Sequence, residues 1–200
     1  GLGQLNPGAA VSVSGANRTV TAGNPDLDPI TANALDIAGE WYFADGAIFS
    51  VALFARDIDS FVQIVREDLP FTGNPLGLPD SVAVAACGAT PGCSPAVLWA
   101  FNLPRNTPGG PLSGYEINLQ MPFSWLDGFW SNFGVLANYT HVNSDVDYVN
   151  SVGAVILTGP IVGLSEESYN ATVYYEDDRF MARLMATYRS DFPTTLPGRN

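Results

Sequence analysis

Cys87 and Cys93 are the only thiols of this sequence, and His141 is its only imidazole. The cysteines enclose Gly-Ala-Thr-Pro-Gly. Two thiols closing so short a Gly/Pro loop predict a local disulfide in an oxidising compartment. Zinc fits poorly, because it usually takes four ligands and His141 lies far away in sequence. A Ser-His-Asp arrangement would have to use His141, which ends an alternating segment beside a loop and has no partner pattern around it. No GxxxxGKS/T or HExxH run occurs. Ser144-Asp145-Val146-Asp147 lacks the Asp-x-Asp-x-Asp-Gly order and the later glutamate of a calcium loop. Three sequons, at Asn17, Asn138 and Asn170, include two inside predicted strands and read as chance matches. No catalytic centre, metal or cofactor is expected, and the chain does not read as an enzyme.

Composition narrows the class. Hydrophobic residues make up 46% of the 200 residues and charged residues only 14%. An average soluble domain carries roughly 25% charged residues. So little charge suits a surface that meets lipid on one side. The net charge is −12, from 8 basic and 20 acidic residues. A nucleic-acid partner is not expected, since phosphate binding needs clustered Lys and Arg. Acidic runs such as Glu166-Glu167 and Glu176-Asp177-Asp178 fall in predicted turns, where they solvate the chain. No run of about 18 apolar residues forms a membrane-crossing helix. The N-terminus carries no secretory leader, so the chain reads as starting inside a longer protein.

The apolar residues alternate instead of following a helical period. Six strands are predicted: Ala34 to Phe43, Ala47 to Asp57, Gly114 to Met121, Asn132 to His141, Ser168 to Glu176 and Arg179 to Arg189. In the first hairpin a three-residue loop, Ala44 to Gly46, pairs Trp41 with Phe49, Ile37 with Leu53 and Glu40 with Ser50. A one-residue slip would mix the faces, and Gly46 stands where such a loop needs a left-handed residue. In the last hairpin a two-residue turn at Asp177-Asp178 pairs Tyr175 with Phe180, Val173 with Ala182, Thr172 with Arg183 and Glu166 with Arg189. In the fourth strand Phe133, Val135, Ala137 and Tyr139 share the apolar face, with Val135 near mid-depth.

Connections alternate in length. Those near 44–46, 122–131 and 176–178 are short; 58–113 and 142–166 are long and rich in Gly, Pro and Asn. A transmembrane barrel sorts its loops this way, with short turns on one side and long loops on the other. Aromatics gather at the short-turn end: Trp41, Tyr42 and Phe43; Trp125, Phe129 and Trp130; Tyr174, Tyr175 and Phe180. Such clustering is that of an interfacial girdle. The fold class expected is all-β, an antiparallel up-and-down transmembrane β-barrel segment of about six strands.

Parity then assigns a lumen-facing polar set: Asp36, Glu40, Ser50, Arg56, Glu116, Asn118, Gln120, Asn138, Thr140, Thr172, Arg183 and Arg189. Their general role is to solvate the wall and hydrogen-bond whatever fills the barrel. Recognition concentrates in loops on a rigid scaffold. The loop from Phe61 to Ser113, pinned by Cys87 and Cys93, is therefore the first candidate for ligand contact. Phe71, Trp99, Phe101 and Arg105 are its candidate contacts. The three rings either stack on a sugar or siderophore or pack the loop against itself.

These phrases together resemble the barrel of TonB-dependent receptors. The resemblance is carried by Gly23-Asn24-Pro25-Asp26-Leu27-Asp28-Pro29 leading into Leu35 and Glu40-Trp41-Tyr42-Phe43. It continues in Asp45-Gly46 with Ser50-Val51-Ala52-Leu53-Phe54, and in Gly114-Tyr115-Glu116 and Ser131-Asn132-Phe133-Gly134. Ser168-Tyr169-Asn170 and Tyr188-Arg189-Ser190 complete it, so that it covers residues 23–192. It implies a Gram-negative outer-membrane barrel of about 22 strands with a plug in its lumen. Such a barrel imports a scarce nutrient, such as ferric siderophore, haem, cobalamin or oligosaccharide, with energy relayed through TonB. The partners implied are outer-membrane lipid, the receptor's own plug domain, TonB reached through an N-terminal region, and a small nutrient ligand. The sequence shows no plug, no TonB box and no closing aromatic strand, so residues 1–200 read as an internal, late part of one barrel domain. A passive porin-like barrel and a soluble, secreted carbohydrate-binding β-sandwich are the alternatives that the same strands allow.

Overall fold

The computed structural model describes residues 2–194. Its strands are β1 (Ala9–Ser14), β2 (Asn17–Ala22), β3 (Ala32–Ala44), β4 (Ala47–Pro70), β5 (Leu98–Pro122), β6 (Phe133–Ser144), β7 (Val146–Val149), β8 (Val155–Gly159), β9 (Glu167–Glu176) and β10 (Met181–Arg189), with one α-helix, α1 (Asp80–Cys87). No helix among the described residues is long and apolar enough to cross a membrane, which says nothing of crossing by strands. The chain forms two compact units, and β4 and β5 contribute to both.

The first, the sheet unit, holds residues 32–58, 110–146 and those from Gly159 on. Its strands follow the order β3-β4-β5-β6-β9-β10. β3 with β4, β5 with β6, β6 with β9 and β9 with β10 are antiparallel pairs. This is the up-and-down barrel segment that the alternation predicts. Its edge strands β3 and β10 expose every residue.

The first hairpin has the expected register, with Trp41 opposite Phe49, Ile37 opposite Leu53 and Glu40 opposite Ser50. The ladder shifts by one between Tyr42 and Ala44, so that Ala44 faces Ala47 and the turn narrows to Asp45-Gly46. Gly46 has φ +70°, a region that a Cβ disfavours.

The last hairpin corrects the expected one. Ala182 faces Tyr175, Arg183 faces Tyr174, and Arg189 faces Ser168. The register is two residues from the expected one, so the faces are kept while every cross-strand partner changes. Turn chemistry is the cause. The Asp177 carboxylate accepts the N–H groups of Arg179 (2.8 Å) and Phe180 (2.7 Å), and the Asp177 N–H donates to Phe180 O (2.9 Å). An Asx turn of this kind holds four residues, 177–180, out of the ladder. It outweighs the opposite-charge pairings that suggested a tighter turn, which contribute little when exposed.

The second, the cored unit, holds residues up to Thr31 together with 59–109 and 147–158. Here the long loops expected over 58–113 and 142–166 are largely ordered structure. β4 and β5 continue as strands to Pro70 and from Leu98, and β7 and β8 form their own two-stranded sheet. β5 contains prolines at 104, 108 and 111, each of which gives the ladder no N–H. The carbonyls are still used: Pro104 O accepts from Asn24 Nδ2 and Pro111 O from the Asp145 N–H. The β1–β2 hairpin had no counterpart among the six expected strands; β2 runs parallel to β5, with Val20 opposite Phe101.

Val20, Phe71, Trp99 and Phe101 form the centre of this unit, each 0% exposed, with Ala83 and Cys87 of α1 beside them. Burying such side chains contributes roughly 1.5–3 kcal/mol each. Asn74 builds the turn that leads to α1, donating to Phe71 O and Leu78 O and accepting the N–H groups of Leu76 and Leu78.

Candidate functional site

Cross-strand register decides which side chains share a face of the sheet unit. Paired residues point the same way, and neighbours along a strand point opposite ways. Glu40 pairs with Ser50, Asn118 with Asn138, Asn138 with Asn170, and Asn170 with Thr187. Asn118 Nδ2 donates to Ser50 Oγ at 3.4 Å, linking β4 to β5. One polar row, Glu40-Ser50-Asn118-Asn138-Asn170-Thr187, therefore crosses all six strands. Counting from it by twos puts Asp36, Arg56, Glu116, Gln120, Arg183 and Arg189 on the same face.

The charged members are mostly engaged locally. Arg56 pairs with Asp36 at 3.0 Å, an exposed ion pair of small net value. The Glu40 carboxylate accepts the Tyr42 hydroxyl. Arg189 donates to Ser165 Oγ and Gly163 O and lies over the Phe192 ring, 4.4 Å from its centroid. Gln120 donates to Gly46 O. Around Asn118, Asn138 and Asn170 the face forms a cleft of about 360 Å³, also lined by Gln120, Leu136 and Thr172.

Two glycines let rings lie flat against this face. A Cβ on Gly134 would stand 2.2 Å from the Tyr174 ring of the neighbouring strand, and the two residues are register partners. A Cβ on Gly114 would stand 2.1 Å from the His141 carbonyl oxygen and 2.6 Å from the Phe54 ring.

The opposite face is apolar and open. Leu35 is 62% exposed, Trp41 66% and Leu184 78%. Aromatics bound it at both ends. At the short-turn end, Phe133 has ring contacts with Phe129, Trp130 and Tyr175 at 5.1–5.6 Å. At the other end, Tyr115 lies 5.9 Å from Tyr139 and 5.3 Å from His141, and Tyr169 stacks on Tyr188 at 4.9 Å. The Tyr139 hydroxyl donates to Glu167 at 3.1 Å. This second band was missed in the sequence because its members come from four strands at unremarkable spacing. Only register lines them up. From Phe133 to Tyr139 and His141 is about 20–26 Å of strand. A tilt of roughly 40° reduces that to about 15–20 Å of height.

His141 belongs to this band; its Nε2 stands 4.0 Å from Glu166 Oε1, and its Nδ1 is buried without a partner. Outside the strands, the Asp177 carboxyl is held below the ordinary carboxylate value. The Tyr175 hydroxyl that it accepts is the main cause, followed by the N–H groups of Arg179 and Phe180.

In the cored unit, Phe71, Trp99 and Phe101 are not displayed. Each is fully buried, Phe71 lies 5.1 Å from Trp99, and Trp99 Nε1 donates to Ser94 O. The second of their two expected roles, packing the loop against itself, is the one this geometry supports, and as ligand contacts they are corrected. Cys87 and Cys93 are bonded to each other, with Cα atoms 5.5 Å apart. Arg105 bridges Glu67 (2.9 Å) and Ser151 O (3.2 Å). Gln63, 4% exposed, does similar work at β7: its Nε2 donates to Asp147 O and its Oε1 accepts the Val149 N–H. No group of three or more His, Cys, Asp or Glu suited to a metal occurs among the described residues.

The family model described as "TonB dependent receptor-like, beta-barrel" matches residues 1–198. No curated protein matches the chain. Among solved structures, 85% of the chain overlays the siderophore receptor PirA from Acinetobacter baumannii, at 19% identity and a TM-score of 0.44. The chain spans 21% of the length of that receptor.

Proposed function

The chain belongs to the TonB-dependent receptor-like β-barrel family, and on that premise we propose that it is a stretch of the wall of an outer-membrane receptor that imports a scarce nutrient. In this reading the apolar face meets lipid and the polar face lines the lumen, where the plug of the complete receptor sits. TonB would act through a region of the receptor beyond this chain. Ferric siderophores, oligosaccharides and similar small nutrients are the cargo classes that the family suggests.

The observation that carries the reading is the asymmetry of the sheet unit. Leu35, Ile37, Trp41, Leu53 and Leu184 are each more than half exposed on one face, while one polar row crosses the other. In water an apolar face of this extent would aggregate or be covered. Two aromatic bands about 15–20 Å apart in height give it the layout of a barrel wall in a bilayer, though they lie inside the full apolar belt of about 25 Å. The test uses the full-length protein. It should fractionate with outer membranes and run as a compact, heat-modifiable species in detergent. Import of its nutrient should stop when TonB is deleted. A monodisperse, cooperatively unfolding protein in detergent-free buffer would overturn the reading.

A further inference from the structure

We propose that the short-turn margin of the sheet unit docks a zwitterionic phospholipid headgroup ending in a primary ammonium, that of phosphatidylethanolamine, and disfavours anionic phosphatidylglycerol. The inference rests on the reading that the apolar face meets lipid, and it names the headgroup at one edge of that face.

Three turns make up this margin, and they touch. A Cβ on Gly46 would stand 3.3 Å from the Pro122 ring, and Gln120 Nε2 donates to Gly46 O at 3.1 Å, so the β3–β4 turn abuts the end of β5. In the β5–β6 connection the Phe129 ring lies 5.2 Å from Tyr175. Asn132 Nδ2 donates to the Tyr175 hydroxyl at 3.4 Å, which joins that connection to the last hairpin. Along the margin Trp41, Trp125, Phe129, Trp130 and Phe180 are 59–67% exposed. Such rings settle at headgroup level, with the apolar body in hydrocarbon and the polar edge wet. The buried Trp99 donates its indole N–H to Ser94 O, whereas those of Trp41, Trp125 and Trp130 have no acceptor among the described residues. They are donors for the phosphate and ester oxygens of a lipid.

Charge decides between headgroups. The turns carry Asp45, Asp127, Glu176, Asp177 and Asp178 against one cation, Arg179, and the 8 basic residues of the chain include no lysine. All six charged groups are exposed. Asp177 is used by its own turn, through the Tyr175 hydroxyl and the N–H groups of Arg179 and Phe180. The other four carboxylates and the Arg179 guanidinium have no hydrogen bond or ion pair among the described residues. Anionic lipid is drawn to basic segments, by about fivefold for each Lys or Arg at the surface. A margin with this excess of carboxylates reverses that preference. A primary ammonium brings three N–H donors and a compact charge for the carboxylates to accept, while Arg179 and the indoles take the phosphate. A choline headgroup has the same net charge but no N–H donor, so the carboxylates hold it less well.

The test uses the full-length receptor in vesicles of phosphatidylcholine brominated on its acyl chains, which quenches tryptophan on contact. Fluorescence of Trp125 and Trp130 is read as the difference between the native protein and Trp125→Phe combined with Trp130→Phe. Unbrominated phosphatidylethanolamine, phosphatidylcholine or phosphatidylglycerol is then mixed in at neutral pH and low salt, where surface charge is least screened. The ethanolamine lipid should restore that fluorescence best and the glycerol lipid least, with relative binding constants about fivefold apart. Asp127→Asn combined with Asp178→Asn should bring the three lipids together. An order led by phosphatidylglycerol or phosphatidylcholine, no difference among the three, or a native order kept by the double variant would overturn the proposal. A heat-modifiable receptor whose Trp125 and Trp130 are not quenched overturns it as well and leaves the barrel reading standing. If the protein is not heat-modifiable, the barrel reading itself has failed and this proposal falls with it.

Discussion

At the scale of single residues, the wall is shaped by what is missing as much as by what is present. Gly134 has no Cβ, and the Tyr174 ring occupies that space from the next strand. Gly134→Ala should therefore lower the temperature at which the full-length barrel loses its heat-modifiable form, at a cost of about 1–3 kcal/mol, the usual cost of overpacking. Adding Tyr174→Ala should return part of the loss. A double variant as unstable as the sum of the two singles would show that the ring and the glycine are not coupled. Asp177 offers a pH test. Its carboxyl is held below the ordinary value of 3.8, so its contribution to the turn is complete above that value and is lost as pH falls through the lower folded value. Exchange of the Arg179 and Phe180 amide protons should accelerate as the pH is lowered through that window, relative to the other amides. In Asp177→Asn that acceleration should be absent. Polar parity was legible at this scale, since alternation alone placed Asn118, Asn138 and Arg183 together. The burial of Phe71, Trp99 and Phe101 was not, because a ring in a Gly/Pro-rich segment reads the same whether it faces solvent or a core.

At the scale of elements, alternation specified strands well and lengths poorly. The six strands expected are all present, and the first hairpin has its expected register, because a one-residue slip would mix its faces and Gly46 supplies the left-handed residue of its turn. In the last hairpin both candidate registers keep the faces, so parity could not choose between them. The Asp177 side chain chose. Disulfide trapping separates the two. Ala171→Cys with Ala186→Cys joins register partners and should cross-link in the assembled barrel. Ala171→Cys with Leu184→Cys, the pair that a two-residue turn would bring together, should not, because a two-residue offset exceeds the usual reach of a disulfide. The reverse result would restore the tighter turn. The strand extensions of β4 and β5 and the β1–β2 hairpin were hidden for a different reason. Proline and glycine at 104, 108, 109, 110 and 111 read as a loop, and only the carbonyl partners of Pro104 and Pro111 show that the strand tolerates them. Likewise the second aromatic band requires register across β5, β6, β9 and β10, which no single segment reveals.

At the scale of the whole molecule, the proposed reading makes this chain part of a wall and leaves transport to the complete receptor. What the segment contributes is an interface with two solvents. In that reading Leu35, Ile37, Ala137 and Leu184 face hydrocarbon while Asn118, Asn138 and Asn170 face water. Depth matters for testing it, since the penalty for arginine peaks at the bilayer midplane. Sequence order favoured Val135 as the mid-depth residue, but Val135 lies only two residues from Phe133 of the short-turn band. Ala137 is midway between Phe133 and His141. The most direct measurement is the free energy of folding of the full-length receptor into a bilayer, compared between Ala137→Arg and Asn138→Arg. These neighbours share one strand and nearly one depth and differ in face. Ala137→Arg should cost about 2–4 kcal/mol, and Asn138→Arg a small fraction of that. Equal costs, or a larger one for Asn138→Arg, would contradict the assignment of lipid to the one face and water to the other.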